Sequence, residues 1–401
     1  MTEARTADIP AARPPAAPAA ANWSGVFAMT LCVFALIASE FLPVSLLTPL
    51  AADLGVTEGM AGQGIAISGL FAVATSLSLP LLAGRRDRRT LLLALTAAMA
   101  VSGAVIALAP SYAVYLVGRA LIGVVIGGFW SLSAATAMRL VPAESVPRAL
   151  AIFNGGNALA SVLAAPLGSL LGSVVGWRGA FALLVPIAAL AFAWQWFSLP
   201  RMAAPATAGG SVFVPLRRPA VSIGMAACGA FFLGQFVLFT YVRPFLEGAT
   251  GVDVATLSVV LLVIGAAGVV GTSLVGGVLR RSLFGVLVLI PVLMAAIAVA
   301  LAALGGSVAV VVALLAAWGL LATAAPVGWW SWLTRAMPAD AEAGGGLMVA
   351  VIQLCIALGS TVGGVLFDAT GHTGTFAASA GILLAAAALA AGARRALHRE
   401  A

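Results

Sequence analysis

The chain of 401 residues contains no lysine, two histidines and three cysteines, and charged residues make up only 8% of it. Each scarcity excludes something. Without lysine there is no G-x-x-x-x-G-K-[ST] loop, and hence no nucleotide-driven pump of that kind. His372 and His398 have no ligand partner nearby, and the chain has no H-E-x-x-H, no Ser–His constellation and no paired acids within its apolar runs. Nothing therefore points to an enzyme, a metal site or a cofactor. Cys32, Cys228 and Cys355 each lie inside an apolar run, odd in number and without metal-ligand spacing. They read as packing residues.

What is abundant decides the solvent. Hydrophobic residues fill 62% of the positions and mean hydropathy is +1.13, whereas a soluble chain carries about 25% charged residues. Lipid must cover this surface. A helix needs about 20 apolar residues to cross a hydrocarbon core of roughly 30 Å. Twelve such runs are predicted, near 24–50, 60–83, 90–109, 112–138, 149–175, 179–198, 219–242, 254–279, 283–303, 308–334, 343–367 and 375–393. The runs are continuous rather than alternating, which excludes a β-barrel. The 45 glycines suit close packing of membrane helices.

Residues 1–21, rich in Ala and Pro with no early apolar segment, are predicted to be a disordered cytoplasmic tail rather than a signal peptide. Residues 22–198 form a first six-helix bundle, 199–218 a central cytoplasmic loop, 219–393 a second bundle and 394–401 a cytoplasmic tail. With both termini inside, 17 arginines fall in cytoplasmic segments; Arg178 and Arg243 fall outside and Arg119 lies in a span. The net charge of +7 thus reflects topology, and no nucleic-acid partner is expected.

The halves resemble each other. Glu40-Phe41 and Pro49 return 195 residues later as Gln235-Phe236 and Pro244. Gly128, Trp130 and Ser131 return at 200 as Gly328, Trp330 and Ser331, and Pro142, Asn157 and Gly168 at 196 as Pro338, Gln353 and Gly364. The shared register argues for duplication of a six-helix unit, whose interface is where secondary transporters place their sites.

Several segments resemble the major facilitator proton antiporters. LVGRALIGVVIGG (116–128) is similar to their fourth-helix motif and GRRDRR (84–89) to a shortened second-to-third-helix signature. APLGSLLG (165–172), with Ala165 in place of the usual Gly, and GWRGAF (176–181) are similar to the fifth-helix motif and the entry to the sixth. EFLPVSLLTPLAADLGVTEGMAGQ (40–63), GGFWSLSAATAMRLVP (127–142), FTYVRP (239–244) and PVGWWSWLTR (326–335) resemble the bacterial purine ribonucleoside efflux pumps. The resemblance implies an all-α membrane protein of twelve helices in two pseudo-symmetric bundles. It also implies export of inosine- and guanosine-like nucleosides in exchange for protons by a monomer in the bacterial inner membrane. Related pumps share these helices, so efflux of sugars or amphiphilic drugs is the alternative.

The residues themselves point to the coupling chemistry. Glu40 and Arg119 are the ionisable groups placed well inside predicted spans, where a charge costs roughly 2.5–3.5 kcal/mol and normally faces a cavity or a partner. Glu40 lies about 21 Å above the cytoplasmic start of its span and Arg119 about 10 Å below the periplasmic start of its own, so their depths agree. Glu40 is the expected proton carrier, with Arg119 its partner in a switch. The alternatives are a permanent pair, separate cavity-lining roles, or an arginine whose five donors bridge backbone carbonyls. The amides of Gln235, Asn157 and Gln353 suit the edges of a base or ribose, or equally hydrogen bonds between helices. Trp130 and Trp330, with Tyr241, are candidate aromatic surfaces for a heterocycle, though tryptophans more often pack. Asp53, Glu247 and Asp368 are the fallback acids.

Overall fold

The computed structural model describes residues 21–83, 86–202, 214–337 and 341–400. Most of the predicted tail 1–21 and of the central loop 199–218 lies outside the described residues, as does Arg85. The chain forms helices α1 (Trp23–Ser45), α2 (Leu47–Leu54), α3 (Glu58–Ala83), α4 (Arg88–Ala107), α5 (Tyr112–Arg139), α6 (Val146–Ala182) and α7 (Leu184–Ser198). The second half supplies α8 (Pro219–Phe239), α9 (Val242–Gly248), α10 (Val254–Arg281), α11 (Leu283–Leu304), α12 (Val308–Ala336) and α13 (Ala341–Glu400).

Among the described residues, ten stretches are long and apolar enough to cross a membrane. Two are too long for one crossing. Arg148–Ser198 has 51 residues and Gly344–Glu400 has 57, more than twice what a core of about 30 Å takes at 1.5 Å per residue. Each turns back at a glycine whose positive φ suits a residue without Cβ: Gly176 (φ 75°) and Gly371 (φ 67°). The neighbours prove the reversal. Gly156, Gly168 and Gly172 climb beside Thr30, Leu42 and Leu46, yet Asn22 at the start of α1 donates its side-chain N–H to Ser198 O at 2.6 Å. In the second half Gly359 and Gly363 climb beside Leu233 and Val237, yet Ala220 N donates to Glu400 Oε1 at 2.8 Å. Counting each as a hairpin gives the twelve crossings expected.

The halves repeat in their packing. A Cβ on Gly123 of α5 would lie 2.2 Å from Ser68 O of α3, and one on Gly319 of α12 would lie 2.3 Å from Ile264 O of α10. Both partners are displaced by 196 residues. Glycine is therefore required at each crossing, because the backbones touch. Each half holds its own apolar core, while Phe197, Leu108 and Val174 stand exposed on the outer surface, as lipid contact requires.

Hydrogen bonds between the halves, among the described residues, cluster at the end opposite the termini, where the sequence is poor in arginine. They join Thr57 and Gly59 to Asp368, Gln63 to Thr361, Ser45 to Arg243, Gly59 to Tyr241 and Glu40 to Gln353.

Candidate functional site

The site begins with a proline. The apolar run predicts a first span reaching residue 50, but α1 stops at Ser45 and the chain restarts as α2. Pro43 has no N–H, so the carbonyl of Ser39, four residues earlier, loses its helical donor. A buried carbonyl needs another. Arg119 supplies it, through Nη1 to Ser39 O at 2.9 Å. Its Nε donates to Gly64 O at 3.0 Å and its Nη2 to Ser68 Oγ at 2.9 Å. One fully buried guanidinium from α5 thus ties α1 to α3.

Glu40, the residue after that carbonyl, does not pair with Arg119. Among the described residues, ion pairs within 4.0 Å are Arg178–Asp53, Arg218–Glu400 and Arg243–Glu247. Of the alternatives the sequence left open, the direct pair is absent among the described residues, and Arg119 bridges neutral oxygens. Glu40 instead accepts from Gln353 Nε2 at 3.3 Å, across the interface between the halves. Both side chains are nearly excluded from solvent. At the next residue Phe41 stacks near Phe236 (centroids 6.4 Å) and meets Phe239 edge-on (6.5 Å), so three rings from both halves meet at this interface.

Further along the interface Thr361 Oγ1 donates to Gln63 Oε1 at 3.1 Å. Beyond it Asp368 of α13 accepts from Thr57 Oγ1 at 2.6 Å and from Gly59 N at 3.0 Å. Tyr241 is part of this closure and not of an open binding surface. It is fully buried and donates to Ser360 O at 2.8 Å and Gly59 O at 3.5 Å, with Phe367 stacked on it at 5.2 Å. The ring expected as a candidate surface for a heterocycle is thus packed within the closed interface in this state of the molecule. Arg243, expected in a loop, is 5% exposed and donates to Ser45 O while pairing with Glu247. Arg178 and Trp177 bind Asp53, and Arg178 also caps Ala109 O at the end of α4. The Arg178 and Trp177 donors hold the Asp53 carboxyl below its usual range.

The remaining predicted residues are scattered. The Gln235 Oε1 is buried without a hydrogen-bond partner among the described residues. Asn157 is half-buried on α6. Trp130 meets Phe153 edge-on at 6.2 Å. Trp330 is 43% exposed, whereas its neighbours Trp329 and Trp332 are buried against each other. Gln63, Thr361 and Ser68 were not singled out by the sequence. The signal was there in Gln63, a polar amide within a predicted span, but Ser and Thr are common in membrane helices and carry none.

A model of the family described as Major Facilitator Superfamily matches residues 29–345. The chain belongs to that superfamily. Two relatives extend the match over nearly the whole chain. A Pseudomonas aeruginosa protein named transcription regulatory protein OpdE is 66% identical over 92% of this chain and 93% of its own length. A Salmonella typhimurium protein named purine ribonucleoside efflux pump NepI is 42% identical over 90% of this chain and 92% of its own. Solved structures share the fold at 16% identity. A D-xylose–proton symporter matches with a TM-score of 0.75 over 92% of this chain and 97% of its own. A bacterial homolog of the human lysosomal transporter Spinster matches at 0.74 over 94% and 98%. As a member of this transporter superfamily the chain is a multi-pass membrane protein and not an enzyme.

Proposed function

We propose that this chain exports purine ribonucleosides in exchange for protons, by alternating access, from the cytoplasm of a bacterial cell across its inner membrane. It acts as a monomer with both termini cytoplasmic, and the Arg-poor end faces the periplasm. The observation that carries the reading is the bond from Gln353 to Glu40. It is a buried acid's tie across the two halves, so any state open to the periplasm must break it and expose the carboxyl to external protons.

The cycle follows from that geometry. In the closed state Glu40 accepts from Gln353 as a carboxylate, with Arg119 fixed alongside. When the periplasmic contacts part, Glu40 loses Gln353 and takes up a proton while substrate leaves. On return the proton departs toward the cytoplasm and the hydrogen bond from the Gln353 amide to Glu40 re-forms. The amides of Gln235, Gln353 and Asn157 offer donors and acceptors for a base or ribose, and Trp130 and Trp330 offer ring faces. The substrate class rests on the NepI-named relatives. An effect on transcription, as the OpdE name would suggest, follows indirectly if an exported nucleoside or its product acts as an inducer.

The test is transport into inside-out vesicles under an imposed proton gradient. Inosine and guanosine should accumulate and pyrimidine nucleosides should accumulate less. Accumulation of sugars or amphiphilic drugs with no response to inosine would replace the substrate assignment.

A further inference from the structure

A cleft of about 800 Å³ opens between the start of α8 and the last turns of α13, far from the interface of the halves. Arg217, Arg218, Arg395, Arg399 and Glu400 line it, with Ile223 on its apolar side. Four guanidiniums therefore face one carboxylate. That carboxylate is already engaged: Glu400 Oε2 accepts from Arg218 at 3.0 Å and 3.2 Å, and Oε1 accepts the Ala220 amide at 2.8 Å. Arg218 also donates to Ala336 O at 2.8 Å. This inner layer fixes the two helix ends together. Arg217, Arg395 and Arg399 have no acceptor among the described residues. Arg395 and Arg399 are four apart, hence on one face of α13.

We propose that this cleft binds the phosphate diester of an anionic phospholipid. Three guanidinium forks with no acceptor among the described residues form a rim suited to a phosphate, which they can engage bidentately. The position favours a lipid over a soluble anion. α8 enters its apolar run directly after Pro219, so the rim lies at the level of headgroups, and Ile223 lies where the glycerol and first methylenes would follow. Basic pockets between membrane helices on the cytoplasmic side suit such headgroups. The bound lipid would brace α8, the helix that carries Gln235, against α13, which carries Gln353. The site is independent of the substrate assignment.

The test is native mass spectrometry of the full chain, titrated in detergent with phosphatidylglycerol, phosphatidylcholine or inorganic phosphate. The expected result is saturable retention of phosphatidylglycerol, weak retention of phosphatidylcholine and no competition by phosphate at comparable concentration. Arg395→Gln and Arg399→Gln should each weaken retention about fivefold, and the triple change with Arg217→Gln should abolish it. Arg280→Gln with Arg281→Gln, at another basic end, should leave the saturable component intact. Arg218 is left unchanged because it holds Glu400. Equal retention of both lipids, or unaltered retention by the triple variant, overturns the proposal. Displacement of the lipid by phosphate alone overturns the lipid assignment and marks the cleft as a soluble-anion site.

Discussion

Asp368 closes the first turn of a helix in the other half of the molecule: its Oδ1 accepts the Gly59 amide at 3.0 Å and its Oδ2 the Thr57 hydroxyl at 2.6 Å. The first N–H groups of any helix lack internal partners and carry partial positive charge. Here the carboxylate that caps α3 comes from α13, so the cap exists only while the halves are closed at this end. Asp368→Asn should weaken the closure. Gly59→Ala should obstruct it, because a Cβ there would lie 2.2 Å from Asp368 Oδ2 and 2.6 Å from Gly364 O. Spin labels at Leu54→Cys and Ala249→Cys, in a background lacking the three native cysteines, should report a larger separation in both variants. Unchanged distances would show that the cap does not hold the gate.

Arg119 should matter for stability as well as transport. Its three hydrogen bonds satisfy the carbonyl freed by Pro43, the Gly64 carbonyl and the Ser68 hydroxyl. An unsatisfied buried polar group costs about 1–3 kcal/mol. Arg119→Ala should therefore lower the unfolding temperature in detergent more than Glu40→Gln does. Arg119→Lys should recover only part of the loss, since an ammonium cannot reproduce the planar fork. Equal melting of Arg119→Ala and wild type would remove the anchoring role.

The twelve crossings were legible because apolar runs and arginine placement are strong, redundant signals. The hairpins at Gly176 and Gly371 fell between predicted runs for that reason. Glu40 and Arg119 were legible as intramembrane charges, yet their relationship was not. Whether two such groups pair depends on which acceptors lie closer, and Pro43 supplied Arg119 with a carbonyl that spacing alone does not advertise. Gln353 was legible as an amide, but its partner sits 313 residues away. The closing contacts of Tyr241 were not legible, because a tyrosine hydroxyl in a span looks the same whether it faces substrate or a neighbouring carbonyl. The Thr57–Asp368 cap spans 311 residues and leaves no local pattern.

Acidification should loosen the corner where Asp53 meets Arg178 and Trp177. Hydrogen bonds from those two side chains lower the Asp53 pKa, so their contribution is present above the unfolded carboxylate value and fades as pH falls through the folded one. Both partners are partly exposed, at 45% for Asp53 and 37% for Arg178, so the pair is worth about 0.2–1 kcal/mol. Asp53→Asn should melt slightly below wild type at about pH 7, and the difference should shrink toward about pH 3. A difference that grows on acidification would contradict this sign.

The central claim is that Glu40 carries the coupling proton, and the most direct measurement is proton release from purified protein in weakly buffered detergent when inosine is added. The wild type should acidify the medium on binding substrate, most strongly in the pH range where Glu40 is partly protonated before addition. Glu40→Gln should still bind inosine and support exchange, while releasing no protons and failing to accumulate substrate against a gradient. Gln353→Ala should retain release but shift its pH dependence, since the acid loses its partner across the halves. Normal proton release from Glu40→Gln, with normal gradient-driven efflux, would contradict the account and move the coupling site to another acid, with Asp368 at the closed end the first to test.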